Sequence, residues 1–467
     1  MSLTRTAIQG GLWTAGIRYL VFFVTFAGNL WLVRLLVPED FGIFALALSV
    51  VEIVSILGGL GISLACIQLQ DEPDVFDTGH LLAWGLALAL ALLGLATAGI
   101  LRTLSFYSST VINFIAVLAP INALTIPASV HIASMDRALS FRRSALSSSV
   151  GPVVGIGLAL ALALYGGGVW SLLCKQVAAS GIGFLVAVQF SQHSFRFAFH
   201  KSTALKIWKY SVNMFFQRMS EILTSRLPNF LLGTIAGIGV LGFFERSKYL
   251  SQLQNTILDP FFGKVAFATY SKVRTDKHKI SIGLELNLFW SARIAIVTGV
   301  LVFFFPDLII TTVLGNQWSG AAEYFRGLSL YIAAISLFSP MVFALMAQGR
   351  MFIITLSNLF GLGIILVGIW LAWYLGGHWV LVPWFISAGT IVGVVMLGFS
   401  TLQHGLKIRW LRILGLPALL VLISTFMWIL GNSYTEWQVL VAIIILLVGI
   451  VVIVDRHEIK FLLSKLK

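Results

Sequence analysis

Two arginines 200 positions apart, Arg18 and Arg218, each lie inside a stretch otherwise fit to cross a bilayer. A charged side chain at the bilayer centre costs about 2.5–3.5 kcal/mol on insertion scales, so its retention calls for a purpose. At about 100° per residue, Arg18 shares a helix face with Thr14, Thr25 and Asn29, while Arg218 shares one with Ser211, Ser225 and Asn229. Glu245, Lys248, Gln252, Asn255 and Asp259 recur at three- and four-residue steps and also fall on one face; their counterparts include Ser49, Glu52 and Ser55. Charges inside membrane segments face the bundle interior or a watery cavity. They either line that cavity or hold helices together as ion pairs. Pairing alone does not account for them, because Arg18, Arg218, Arg226, Arg246, Lys248 and Arg293 outnumber Glu52, Glu221 and Glu245. Excess positive charge at low dielectric stays costly until an anion arrives, and the planar guanidinium fork suits phosphate. The chemistry expected is the holding of a phosphorylated anion.

The elements that must position these residues are membrane helices. The chain has 467 residues, 58% hydrophobic and only 10% charged, against about 25% charged in soluble domains. Its solvent is therefore largely lipid. The net charge of +13 fits a positive-inside membrane protein and needs no nucleic acid. Cys66 and Cys174 sit in apolar runs and suggest no disulfide. The first apolar run exceeds the about 7–15 residues of a signal-peptide core and is expected to be retained.

Apolar runs of about 20 residues lie near 12–36, 41–69, 79–101, 111–134, 145–165 and 168–190, and again near 281–306, 326–347, 352–375, 379–402, 411–431 and 437–454. Between the sets, hydropathy alone would place a soluble domain. Internal symmetry argues otherwise. At a shift of 200, Arg18 falls on Arg218, Asn29 on Asn229, Leu32 on Leu232, Gly42 on Gly242 and Phe44 on Phe244. YGGGVW (165–170) and YLGGHW (374–379) echo each other later. Repeated halves are common in transporters, so spans 7 and 8 are expected near 207–236 and 238–260, giving fourteen. Both termini then share one side. Placing them in the cytoplasm puts Arg137, Arg142, Arg143, Arg196, Lys201, Lys264, Lys272, Arg274, Arg409, Arg456 and Lys460 there, as the positive-inside rule asks.

Other motifs carry less. GIGVLG (237–242) matches a dinucleotide fingerprint but lacks the strand–helix setting that fingerprint needs; a turn between spans is expected. The glycines of SILGGLGIS (55–63) and VGPVVGIGLAL (150–160) suit close helix contact. Pro120, Pro127 and Pro340 lie within spans and can kink them. No histidine spacing suits a metal, and no nucleophile triad, P-loop or catalytic carboxylate pair is present. No metal, cofactor or enzymatic activity is expected.

LLVPEDFGIFALALSV (35–50), MDRALSFRRSAL (135–146) and LDPFFGKVAFATYSKV (258–273) resemble, in order, segments of the Wzx-type oligosaccharide flippases, particularly the WzxC-like polysaccharide transporters. The resemblance implies an all-α, fourteen-span exporter fold shared with multidrug and lipid II flippases. Residues 1–200 would form one six-helix lobe, 201–405 a second, pseudo-symmetric lobe, and 406–467 two added helices. The lobes would flank a V-shaped cavity. The resemblance further implies transfer of a polyprenyl-pyrophosphate-linked oligosaccharide across the cell (inner) membrane for surface polysaccharide synthesis, alongside membrane lipid and a polysaccharide polymerase or export machinery. Arg18, Arg218, Arg226, Arg246 and Lys248, with Asn29 and Asn229, are the expected cargo-holding residues; Glu52, Glu221 and Glu245 are the candidates for ion coupling. Two rivals stand beside it. A multidrug cation exporter of the same fold should have an acidic cavity. A membrane glycosyltransferase or polymerase should carry a large outer loop, and none is visible.

Overall fold

The computed structural model describes the backbone of all residues except 1–2, 70–71, 73, 192, 195, 197, 260–269, 271–275, 407, 411–412 and 414–467; for 3–15, 57, 59–60 and 213–214 it describes backbone alone. Expected spans 13 and 14, and the basic residues Lys264, Lys272, Arg274, Arg456 and Lys460, lie outside the described residues.

Among the described residues every element is helical. In chain order these are α1 (Leu3–Leu35), α2 (Pro38–Val54), α3 (Ile62–Gln68), α4 (Val75–Thr103), α5 (Ser109–Ala123), α6 (Thr125–Arg137), α7 (Phe141–Leu164) and α8 (Trp170–Phe190). There follow α9 (Lys201–Ile235), α10 (Ile238–Asp259), α11 (Lys277–Phe304), α12 (Pro306–Val313), α13 (Ala322–Gly327), α14 (Ser329–Ala347), α15 (Met351–Tyr374) and α16 (Val382–Gln403). Nine segments among the described residues are long and apolar enough to cross a bilayer: α1, α4, α5 with α6, α7, α8, α11, α14, α15 and α16. Large apolar side chains stand exposed on their outer faces, among them Leu88, Leu92 and Leu95 of α4 and Trp370 and Trp373 of α15. In water such a surface would aggregate; in lipid it is the solvated face. Helices α9 and α10, too polar to be found by hydropathy, occupy the expected positions of spans 7 and 8.

Two expected spans are broken, each for a local reason. The run 41–69 divides into α2, a 3₁₀ turn at Ser55–Leu60, and α3, with Gly61 between them at φ +64°. Glycine reaches that left-handed conformation without the steric cost of a Cβ. The run 111–134 divides at Leu124 into α5 and α6. Pro127 has no N–H to offer the carbonyl four residues back, and α5 ends at that residue, Ala123. Close helix contact accounts for some of the remaining glycines. A Cβ on Gly151 would strike the Ala179 carbonyl, and one on Gly155 would lie 2.7 Å from the Lys175 carbonyl, so α7 and α8 meet at backbone distance.

The halves repeat in helix boundaries as well as in letters. α1 ends at Leu35 and α9 at Ile235; α2 starts at Pro38 and α10 at Ile238. Of the GIGVLG segment expected as a turn, only Gly237 lies in the turn, at φ +95°; the rest opens α10. The starts of α2 and α10 touch reciprocally. A Cβ on Gly42 would collide with the Ile238 carbonyl, and one on Gly242 with the Pro38 carbonyl. Leu32 and Leu232 are both fully buried.

The chain forms two compact units. The first comprises residues 1–246, 310–321 and 369–379; the second comprises 247–309, 322–368 and 380–467. One core of the first unit gathers Ala65, Cys66, Phe76, Ala83, Val130 and Ile207. A core of the second packs Leu284, Leu288, Met341, Leu345 and Leu397. Both cysteines are free thiols.

Candidate functional site

In the first unit, four helices bring four of the eight expected charges together. α2 supplies Phe41 and Glu52, α9 supplies Arg226 and Asn229, the first turns of α10 supply Glu245 and Arg246, and α1 supplies Asn29. Arg226 grips Glu52 with both arms of its fork: Nε donates to one carboxylate oxygen at 2.5 Å and a terminal nitrogen to the other at 3.0 Å. Two parallel charge-assisted bonds fix direction as well as distance. A second terminal nitrogen of Arg226 reaches Glu245 at 3.8 Å. The Asn229 amide, fully buried, donates to that same Glu245. Arg246 lies over the Phe41 ring at 4.4 Å from its centroid, a cation–π contact that strengthens as water is removed.

The fifth contributor comes from α8. Lys175 donates from Nζ to Asn29 Oδ1 at 2.6 Å. Among the described residues no carboxylate stands within ion-pair distance of it, and the charge it feels is that of Arg246, a like charge. The named cluster thus holds Arg226, Arg246 and Lys175 against Glu52 and Glu245. An amide oxygen carries only a partial negative charge and leaves most of the ammonium's field to act on whatever enters.

Lys175 is absent from the expected site. The signal was available, since a lysine interrupts the apolar run 168–190 just as Arg18 interrupts the first. What the run could not reveal is that Gly155 brings α7 against the carbonyl of Lys175.

Other expected residues stand elsewhere. Arg18 is exposed on α1. The side chain of Thr14 on the same stripe lies outside the described residues, and the Thr25 hydroxyl is spent on the Val21 carbonyl of its own helix at 2.7 Å. Arg218 pairs with Glu221 one turn on, at 2.9 Å, both more than half exposed. Glu52, expected as an ion carrier, is committed to Arg226. In the second unit Lys248 is half-buried on α10. The buried Arg293 folds back over Phe289 of its own helix and donates to that residue's carbonyl at 3.3 Å. The five-residue face of α10 therefore divides: Glu245 serves the first unit, whereas Gln252 meets Tyr331 at 3.1 Å and Asn255 accepts from Ser336 at 2.8 Å in the second. Among the described residues no group of three His, Cys, Asp or Glu is placed to hold a metal ion.

The model of a family described as "Polysaccharide biosynthesis protein" matches residues 31–323, more than half of the chain. The chain belongs to the polysaccharide biosynthesis protein family. That match spans the Arg226–Glu52 pair, Lys175 and Arg246 together. The succinoglycan biosynthesis transport protein ExoT of Rhizobium meliloti (strain 1021) is 26% identical over 297 residues, which make up 62% of this chain and 59% of that protein's length. Among solved structures, the lipid II flippase MurJ in an inward closed conformation matches with a TM-score of 0.75 over 96% of this chain and 99% of its own, at 13% identity. An inward-facing multidrug resistance transporter of the MATE family, in the MOP superfamily, matches with a TM-score of 0.64 over 84% of this chain and 98% of its own, also at 13% identity. These two likenesses establish the fold. The family member described here is a multi-pass membrane protein of that fold.

Proposed function

We propose that the chain moves a polyprenyl-pyrophosphate-linked oligosaccharide between the leaflets of the cell membrane, supplying repeat units for a surface polysaccharide. The observation that carries the reading is the basic cluster of the first unit, in which Lys175 is held by an amide and stands near the like charge of Arg246. A pyrophosphate entering there meets the Lys175 ammonium and the Arg246 guanidinium, and the polyprenyl tail remains in lipid. Family membership and the likeness to ExoT support a polysaccharide cargo; the likeness to MurJ supports a fold able to move a large lipid-linked substrate. Chain topology in this reading is fourteen spans with cytoplasmic termini, in two six-helix lobes and two added helices. Access alternates between leaflets, as in repeat-built transporters generally. The chain makes and breaks no covalent bond and needs no cofactor, and it hands its cargo to a polymerase or export machinery.

A multidrug cation exporter shares the fold, but a net positive cluster repels a cationic drug. Purified protein in vesicles, loaded with a fluorescent lipid-linked glycan, tests the choice. Leaflet transfer by the parent chain, reduced at least about tenfold in Lys175→Gln, is expected, a loss of about 1.4 kcal/mol of cargo stabilisation. Absence of transfer together with export of an organic cation would refute the reading.

A further inference from the structure

The last carbonyls of a helix lack intrahelical donors, and at the end of α1 the following residues cannot supply them. α1 stops at Leu35. In a continued helix the Val37 N–H would serve the Val33 carbonyl, but it turns to Asp40 Oδ2 at 3.2 Å. Pro38 has no N–H to offer the Arg34 carbonyl. Residues from far along the chain fill the gap. Gln317 Nε2 donates to the Val33 carbonyl at 2.9 Å and to that of Leu36 at 3.0 Å. The Trp318 indole N–H donates to the Val33 carbonyl at 2.9 Å. Arg34 returns the contact by donating to the Thr312 carbonyl, in the last turn of α12, at 2.8 Å.

These donors belong to a segment that the chain lends to the first unit. The chain leaves the second unit after Ile309, passes through the first as residues 310–321 and rejoins the second at Ala322. Trp318, in a 3₁₀ turn at Asn316–Ala321, is the bulkiest fully buried side chain among the described residues. Its ring meets Phe41 of α2 nearly at right angles, with 5.4 Å between centroids, and Phe243 of α10 at 6.3 Å. A Cβ on Gly320 would lie 2.9 Å from the Phe243 ring, so the main chain of the turn rests on that aromatic. Phe41 is itself buried, and Arg246 lies over its face at 4.4 Å. Trp318 and Arg246 thus share one ring between them.

We infer that Trp318 is a positioning residue for the basic cluster: by fixing the Phe41 ring it fixes where Arg246 stands, and the segment between α11 and α14 thereby sets how tightly the first unit holds an anion. A cation–π contact needs the guanidinium over the ring face, within about 6 Å of the centroid. Aromatic pairs favour particular angles, so a locked indole restrains the tilt of the ring beside it. With the indole gone, the Phe41 ring can turn away from the guanidinium. The anion is a prenyl pyrophosphate by class. That part rests on the flippase reading, whereas the placement of Arg246 by Trp318 does not. Both ends of the segment run on into the second unit, which gives that unit's chain a covalent lever on the cluster.

The test uses the full-length protein in detergent and two readouts. The first, made without any ligand, is the rate at which phenylglyoxal modifies Arg246, followed by mass spectrometry. Trp318→Leu should raise that rate at least about fivefold and leave the rate at Arg226, which is tied to Glu52, within about twofold of the parent. Trp318→Phe keeps a ring beside Phe41, while Gln317 still serves the Val33 carbonyl, and should restore the parent rate. The second readout is affinity for farnesyl pyrophosphate. Trp318→Leu should weaken it about 3–10-fold. Added to Arg246→Gln it should cost nothing further, as expected of two residues that act through one contact. If Trp318→Leu does not fold, Gln317→Leu loosens the same anchor without emptying the core and should move both readouts the same way by about threefold. An unchanged rate at Arg246, or losses of affinity that simply add, would overturn the positioning role. A parent chain that binds no farnesyl pyrophosphate yet shows the rate changes keeps this role and loses the flippase reading. One that binds it while the Arg246 rate stays constant in every variant loses the role and keeps the reading.

Discussion

A charge cluster of the first unit and a polar pocket of the second treat buried polarity in opposite ways. The first gathers full charges and settles them against one another: Arg226 on Glu52, Glu245 between Asn229 and Arg226, Arg246 on an aromatic face. The pocket gathers neutral oxygens around one carboxylate, Asp259, apart from the second unit's own pair of Arg409 with the buried Glu285. Ion pairs are strong but directional, and removing one partner leaves the other stranded at low dielectric. Amides and hydroxyls tolerate rearrangement, since each has spare donors or lone pairs. The cluster therefore holds its groups in fixed directions, whereas the groups of the pocket can exchange partners.

This contrast can be broken most severely at Arg226. Arg226→Ala leaves Glu52 without its fork partner, and a loss of about 2–3 kcal/mol of stability is expected, between the limits for exposed and fully buried pairs. Thermal unfolding of the purified protein measures it. The double variant Arg226→Gln with Glu52→Gln should recover most of the loss; failure to recover would show that the stabilisation is packing rather than charge. Next in size is Asn255→Leu in the second unit. It removes the acceptor at 2.8 Å from Ser336, whose hydroxyl retains the Ile332 carbonyl at 3.0 Å, so a cost of about 1 kcal/mol is expected in the same melt. Lys175→Gln should be milder still in stability, within about 1 kcal/mol, because no carboxylate is left stranded. A transport defect without a stability defect at this position separates cargo binding from scaffolding. Smallest is Arg218→Ala: its pair with Glu221 is open to solvent, and exposed pairs contribute about 0–1 kcal/mol. A midpoint shift larger than that of Asn255→Leu would place Arg218 in the buried network after all.

Much of the scaffold was legible in the residues. The repeat at a shift of 200 located α9 and α10 where hydropathy saw only a polar interval, and the boundaries at Leu35 and Ile235 bear it out. Apolar runs located the spans because burial in lipid demands about 20 of them in a row. The break at Leu124 matches the kink expected of Pro127, whereas the break at Gly61 was not foreseen, since it sits inside a run that remains apolar throughout. The fate of individual charges was the least legible. Helical spacing reveals which residues share a face, but not what opposes that face. Arg226 meets Glu52 across 174 positions of chain, Lys175 meets Asn29 across 146, and neither pairing follows from periodicity. Lys175 itself was passed over because it has no counterpart in the polar stripes that drew attention to Arg18 and Arg218.

The mutual contact of Gly42 and Gly242 carries a consequence for how such a duplicated chain can change. Where side chains separate two helices, a bulkier residue on one can be answered by a smaller one opposite. Here each glycine abuts a main-chain carbonyl, that of Ile238 or Pro38, and the main chain has nothing to trim. A methyl group added to either copy forces both helix starts apart at once. The starts of α2 and α10 are clasped within the first unit at a point where neither can drift alone.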